Sequence, residues 1–359
     1  MIEYILLGIV VLWLILTTLV KKFNLEQRGV TIVPLLFFMV RTKKFLNLVD
    51  ALAQKAKSFW TGYALAGVAV SVVGIPVSLG FFAWNAYKVL SAPQQATAVI
   101  PVIPGVTIKV TWGLIIGIII IFFAHEFSHG IVARRENISL KSMGLLLLVI
   151  IPGAFVEPDE EEMKQKSVLS RVKVYSAGSM ANFVVAAFFL VLLLSIPRVP
   201  DGVQIYETIP GTPADQIGLE GAIIYQMNDS HIETYEQFSQ ELEKYHPGDE
   251  LVLETNRGTH TLTLTEHPDE KGRGYMGVYP IQHFKYFMIL DIFSWISMLN
   301  LSVALFNLFP ISSILDGGKI TDEILRHYFS DTTSKRLSAV FGVLALGILT
   351  INLLGNVIA

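Results

Sequence analysis

His125, Glu126 and His129 stand in the order His-Glu-Phe-Ser-His within an apolar stretch running from about Val110 to Val132. On a helix the two imidazoles, four residues apart, project from one face and can hold a single Zn²⁺, while the glutamate beside them can take a proton from a water on that metal. An ionisable side chain at the centre of a transmembrane helix costs roughly 2.5–3.5 kcal/mol even on the lenient insertion scale, so three on one turn of an apolar helix signal a function. The pattern is a zinc-hydrolase motif placed inside a membrane. Two histidines fall short of the three protein ligands usual at a catalytic zinc, so another must come from elsewhere. The chain contains no cysteine, which excludes disulfides and thiolate ligands and leaves histidine and carboxylate to hold any transition metal.

Asp316 is the best-placed candidate for the missing ligand. Asn307-Leu308-Phe309-Pro310 ends one apolar helix, and Ile314-Leu315-Asp316-Gly317-Gly318 follows at its edge. The competing role for Asp316 is a helix N-cap, starting the helix that continues through Lys319 and Ile320.

The elements that must position these residues are read from hydropathy. A chain that is 52% hydrophobic, with a mean hydropathy of +0.55, is too apolar for an ordinary soluble protein and reads as a polytopic α-helical membrane protein. About 20 apolar residues span a bilayer core, and the candidates are 2–20, 61–84, 110–133, 172–196, 286–309 and 337–357, making six spans. The first run has Lys21 and Lys22 on its far side, the reverse of a secretory signal peptide, and is expected to be retained. The shorter Gly144–Phe155 piece, carrying Pro152 and Gly153, reads as a re-entrant hairpin, tolerated at membrane depth only when packed in protein or lining a wet cavity. Residues 30–40, with Pro34, are also too short to span and are expected at the interface.

Basic residues crowd 21–57 and recur at Arg134, Arg135, Lys141, Arg171 and Lys173. The positive-inside rule makes these segments cytoplasmic and the N-terminus external. It then brings both His125 and Asp316 near the cytoplasmic ends of their helices, leaving the hydrophilic stretch after Pro200 outside. Nothing in the basic pattern forms a nucleic-acid footprint. The domains expected are 1–60 (first helix and basic loop), 61–198 (first part of the membrane core), 199–283 (an extracytoplasmic α+β module) and 284–359 (second part of the core). Within the module, a short helix opened by Gly211-Thr212-Pro213-Ala214 and running to Gly218-Leu219, a strand at 222–227, a helix at 235–245 and a hairpin of 251–255 with 260–265 are expected. His231, His246, His260 and His267 read as surface residues, and Glu157–Glu162 as a solvated loop without a ligand role.

HExxH paired with a distant N-x-x-P…LDGG, in a polytopic chain with a soluble insertion, resembles the site-2 protease family of intramembrane metalloproteases over about residues 110–325. The resemblance implies zinc held by His125, His129 and Asp316, with Glu126 as general base. The Asn307-to-Asp316 spacing is nine where the family pattern has eight, which bears on the turn through Ile311-Ser312-Ser313-Ile314-Leu315. Asn182, in Ala177-Gly178-Ser179-Met180-Ala181-Asn182, resembles the family's A-G-P-x-x-N segment, and either donates to a substrate carbonyl or oxyanion or makes an interhelical hydrogen bond. Asn307 either orients the active site or braces the break before Pro310. The hairpin at 144–157 occupies the place of a family element whose strand edge could pair with an unwound substrate. The insertion resembles a circularly permuted PDZ domain, with Pro210–Ala214 and Gly218-Leu219 as its start and Gly274-Tyr275-Met276-Gly277-Val278 as the carboxylate-binding loop. Glu220-Gly221-Ala222 and Asn228-Asp229 depart from that pattern, so the module either binds peptide C-termini or acts as a size filter.

The function expected is an intramembrane zinc metalloprotease acting on single-span transmembrane proteins in the plasma membrane, in contact with the lipid bilayer and with no nucleic-acid partner. Signalling and clearance of signal-peptide remnants are both compatible uses. The alternative is a zinc-binding membrane scaffold that holds clients through the PDZ-like domain, or a transporter.

Overall fold

The computed structural model describes residues 2–97, 99–311 and 314–358. The chain forms two compact units, Met1–Val191 with Ile292–Ala359, and Leu192–Asp291. In chain order the first unit contains α1 (Ile2–Lys22), β1 (Val30–Val33), β2 (Phe37–Thr42), α2 (Leu46–Gln54), α3 (Lys57–Ser91), α4 (Trp112–Arg135), β3 (Leu140–Leu148), β4 (Ile151–Pro158), α5 (Glu160–Lys164) and α6 (Val168–Ser195). The second contains β5 (Pro200–Thr208), α7 (Pro213–Gln216), β6 (Ile223–Met227), β7 (Ser230–His231), α8 (Tyr235–Leu242), β8 (Glu250–Thr255), β9 (Gly258–Thr263), β10 (Thr265–Glu266), β11 (Gly274–Tyr275) and β12 (Val278–Phe284). The chain then completes the first unit with α9 (Phe287–Asn307), α10 (Asp316–Tyr328) and α11 (Asp331–Ile358).

Five helices among the described residues, α3, α4, α6, α9 and α11, are long and apolar enough to cross a membrane. The sixth stretch expected to span is helical as α1, with Lys21 and Lys22 in its last turn. Helix α4 is started by Thr111, whose Oγ1 accepts from Leu114 N at 3.1 Å, and it ends on Arg134 and Arg135, cations that suit the negative end of the helix dipole. Polar side chains join the long helices where apolar surfaces alone are indifferent to one another. Asn85 of α3 donates to Asn352 Oδ1 of α11 at 2.7 Å, Asn352 Nδ2 donates to Phe82 O at 2.9 Å, and Ser78 Oγ donates to Leu305 O of α9 at 2.8 Å.

The hairpin expected near 144–155 forms as β3–β4, but inside a larger element. Residues 30–40, expected at the interface with no structure assigned, supply β1 and most of β2, and the four strands make an antiparallel sheet in the order β1-β2-β3-β4. Strand β2 pairs with β3 from Phe37 opposite Leu148 to Thr42 opposite Met143. The physical reason is that short apolar segments cannot leave backbone N–H and C=O groups unpaired away from water, and pairing with β3 satisfies them. Buried Trp13 of α1 donates from Nε1 to Val149 O at 2.9 Å, tying the first helix to the hairpin tip.

The second unit is an antiparallel sheet in the order β12-β5-β6-β8-β9, with β7 paired to β6. Its core gathers Val203, Ile205, Leu219, Ile224, Met227, Phe238, Leu251 and Leu253. Strands β8 and β9 form the expected hairpin, with Thr255 opposite Gly258. Helix α8 opens with a capping box of Thr234 and Gln237. Strands β5 and β12, which carry one edge of the sheet, were not anticipated. Replacing the fully buried Leu253 by alanine is expected to cost the module about 2–5 kcal/mol. Hydrogen exchange of the full-length protein checks this: protection should fall across β5–β12, and unchanged protection would contradict the core described.

Candidate metal centre

The two HExxH histidines sit one turn apart on the inward face of α4. His125 Nε2 and His129 Nε2 are 3.1 Å apart. Asp316 Oδ2 lies 3.3 Å from the first and 3.2 Å from the second. His125, His129 and Asp316 form a group that could hold a metal ion, each presenting one donor atom.

The remaining ring contacts decide which nitrogen each histidine presents. His129 Nδ1 lies 2.7 Å from Val174 O of α6. A carbonyl only accepts, so Nδ1 carries the proton and Nε2 keeps its lone pair for the shared centre. His125 Nδ1 is 3.1 Å from Nδ2 of Asn182, which is fully buried and whose Oδ1 has no partner as placed. Turned with its oxygen toward the ring, that amide accepts the Nδ1 proton and leaves Nε2 likewise free to bind. Asp316 is 5% exposed and its Oδ2 has no hydrogen-bond partner. Three lone-pair donors thus face one another in a buried space, an arrangement that suits a divalent cation and is hard to sustain otherwise. A set of two imidazoles and one carboxylate also suits zinc.

Two glycines let these groups approach. A Cβ on Gly178 of α6 would fall 2.6 Å from His125 Nε2 and against His129 Nε2, so only glycine leaves the space between α6 and the imidazoles open. The helices are held there by a small network: Tyr63 Oη of α3 is 2.8 Å from Ser128 Oγ and donates to Ala177 O at 3.0 Å, while Ser128 Oγ reaches the same carbonyl at 2.9 Å. A Cβ on Gly317 would strike Leu308 O and lie 2.8 Å from Leu308 Cα, so the start of α10 rests directly on the last turn of α9. Leu308, Ile320 and Val172 pack together and complete that junction. Asp316 is the first residue of α10, one position after the N-cap Leu315, so the N-cap role is not the one it takes. Its other oxygen, Oδ1, is 3.5 Å from Lys319 Nζ. Ser312 and Ser313, where the extra residue between Asn307 and Asp316 was expected to alter the turn, lie outside the described residues.

The donor group opens on a cavity of about 550 Å³ whose walls include Glu126, Asn307, Lys319 and the Pro152–Val156 edge of β4. Glu126 Oε2 accepts from Val156 N at 2.8 Å. Because Leu148 and Ile151 close the hairpin, alternation along β4 turns the backbone groups of Pro152, Ala154 and Val156 away from β3 and into this cavity. Proline has no N–H, so Ala154 and Val156 are the donors on this stretch, and Val156 serves Glu126. An adjoining cavity of about 640 Å³ shares Tyr175 and Lys319 with the first and is lined by Glu157, Glu160, Lys164, Arg171, Asp322, Glu323 and Arg326. Arg171 Nη2 is bound to Glu323 Oε2 at 2.6 Å in its wall. Asp159 caps α5 through Glu161 N at 3.0 Å and Glu162 N at 3.1 Å, which occupies the first part of the acidic run structurally; those backbone donors, that of Glu162 foremost, hold its carboxyl below the usual carboxylate range.

His125, Glu126, His129, Asn182, Asn307 and Asp316 are therefore all gathered at one place, Asn182 through His125 and Asn307 as part of the cavity wall. Gly178, Tyr63, Ser128, Val174 and Lys319 were not singled out from the sequence. The run of small residues around Gly178 was the one available signal, whereas Tyr63 lies 65 positions from Ser128 and carried none.

Comparison with known proteins bears on the same residues. The chain is 29% identical over 332 residues to an uncharacterized protein of Methanocaldococcus jannaschii, covering 88% of this chain and 83% of that one. It is 26% identical over 185 residues to a protein of Clostridium perfringens that carries the provisional designation zinc metalloprotease; the match spans 44% of this chain and 55% of that relative. A PDZ domain of the SdrC-like protein from Listeria monocytogenes is similar at 19% identity and a TM-score of 0.22, over 24% of this chain and 94% of the domain. Residues 113–351 match the profile of peptidase family M50. That match spans well over half of the chain and takes in both histidines, Glu126 and Asp316, so the protein belongs to peptidase family M50, the site-2 protease family that its paired motifs resemble.

Proposed function

We propose that the protein is an intramembrane zinc metalloendopeptidase that hydrolyses peptide bonds within single-span membrane-protein substrates. The observation that carries this reading is the convergence of His125, His129 and Asp316 in a cavity also lined by Glu126 and by a strand edge. Zinc, when bound by those three side chains, supplies Lewis acidity toward a peptide carbonyl and lowers the pKa of water to about 7. Glu126 acts as the general base, taking a proton from the attacking water and delivering it to the leaving amine. Asn182 and the Val174 carbonyl fix the two imidazole rings, and Asn307 orients the peptide from the cavity wall.

A substrate helix hides its peptide bonds in its own hydrogen bonds and has to unwind before attack. The outward backbone groups of β4 offer the opened segment replacement partners, as strand addition does elsewhere. The charged adjoining cavity is the route by which water reaches Glu126 without crossing lipid. In this reading the site lies toward the cytoplasmic side of the plasma membrane, in keeping with Arg134, Arg135, Arg171 and Lys173 around it. The module at 199–283 is extracytoplasmic and PDZ-like, and either binds peptide C-termini at Gly274–Val278 or excludes substrates with bulky outer domains.

Incubating the detergent-solubilised protein with labelled single-span peptides, with and without a zinc chelator, tests the reaction class directly. Cleavage that stops on chelation and returns with added zinc is expected, whereas a protein that holds zinc and cuts no membrane peptide is a scaffold. Glu126→Gln should retain zinc and lose cleavage by about 10²–10⁴-fold; near-normal turnover would remove Glu126 as the base. Gly178→Ala pushes a methyl group onto both imidazoles and should lower zinc content by elemental analysis while the helical circular dichroism is retained. Full zinc occupancy in that variant would mean the metal lies elsewhere.

A further inference from the structure

A third cavity, of about 230 Å³, shares Phe122, Glu126, Ala154 and Phe155 with the metal cavity. Its remaining walls come from Val40, Phe45, Phe123, Phe127 and Leu145 together with Thr42, Met143 and Gly144, so Glu126 is the one carboxylate, and Thr42 the one hydroxyl, in a largely apolar lining. We propose that this cavity is a specificity pocket that receives one large apolar side chain, leucine or phenylalanine, from the substrate segment paired along β4 beside the bond that is cut. The proposal rests on the proteolytic reading above.

Size, chemistry and register all select that occupant. A cavity of about 150 Å³ accommodates a benzene ring, and pockets that enclose a small-molecule ligand run to roughly 300–1,000 Å³. The space therefore suits one side chain, and an intact helix about 10 Å across does not enter it. A polar or charged occupant would lose its water among walls that are aromatic and aliphatic apart from Glu126 and Thr42. The floor is one face of the sheet: Val40 pairs with Leu145, and Leu145 with Ala154. Directly paired residues on neighbouring strands project to the same face, so a substrate residue opposite Ala154 points its side chain where Ala154 points its own, toward this cavity. Because Phe122 and Glu126 are a helical turn apart and both line the two cavities, the residue seated here is a near neighbour of the peptide bond presented to the metal.

The test uses the full-length zinc-loaded protein and single-span peptides in which each of the three residues on either side of the cut bond is alanine, leucine or phenylalanine in turn. Two readouts are taken: relative kcat/KM with the unaltered chain, and relative Kd with Glu126→Gln, which needs no turnover. The expected result is a preference for phenylalanine or leucine over alanine of roughly 10- to 100-fold at one position in both readouts. Val40→Phe, which fills the cavity from β2, should collapse that ratio toward one, and Leu145→Phe, which fills it from β3, provides the same reading if the first variant folds poorly. Cleavage with no positional preference, or a preference untouched by both filling variants, overturns the pocket and leaves the protease standing. A Kd preference erased by the filling variants in a protein that cleaves nothing keeps the pocket and overturns the protease. Absence of both effects overturns both.

Discussion

Ionisable groups buried among apolar helices must satisfy one another, and this constraint organises the molecule. Two imidazoles and a carboxylate cannot stay in a low-dielectric interior with their lone pairs facing empty space, because the desolvation cost of each is several times the worth of an ordinary hydrogen bond. Their mutual approach at 3.1–3.3 Å forces two chain segments far apart in sequence, α4 and the start of α10, to meet. Close meeting in turn demands bare backbone at Gly178 and Gly317, and packing at Leu308, Ile320 and Val172 to hold what the glycines permit.

A second tier of polar contacts gives the site its orientation. Val174 O and the Asn182 amide take up the far nitrogen of each ring, and the Tyr63–Ser128–Ala177 contacts fix the spacing between α3, α4 and α6 a single residue from Gly178. The sheet contributes something the helices cannot, a row of backbone groups with no partner in their own element. Its placement beside α4 gives the cavity one wall made of peptide, next to walls made of ligands and aromatic rings. The ion-paired cavity that shares Tyr175 and Lys319 with the first adds a charged rim beside it.

Much of this was legible before any coordinates. Helix α4 and its motif, the long apolar helices, the carboxylate after Pro310 and the β8–β9 hairpin all announce themselves through local periodicity or local spacing, which a single chain displays directly. The four-stranded sheet did not. Residues 37–42 find their partners at 143–148, more than a hundred positions away, and no local pattern encodes a register fixed at that distance. Strand β5 begins Pro200-Asp201-Gly202, which reads as a turn, and only its inward Val203 and Ile205 reveal it once Ile224 is opposite. Gly178 was visible as one small residue among several, but what its missing side chain makes room for depends on α4 lying across it.

The hydrogen bond from Val156 to Glu126 carries a consequence for the order of events at the strand edge. One backbone proton cannot serve a carboxylate and an incoming carbonyl at full strength together. Any polypeptide that pairs fully along this margin has to displace the Glu126 carboxylate from Val156 N, so occupation of the strand edge and release of that carboxylate become a single linked event.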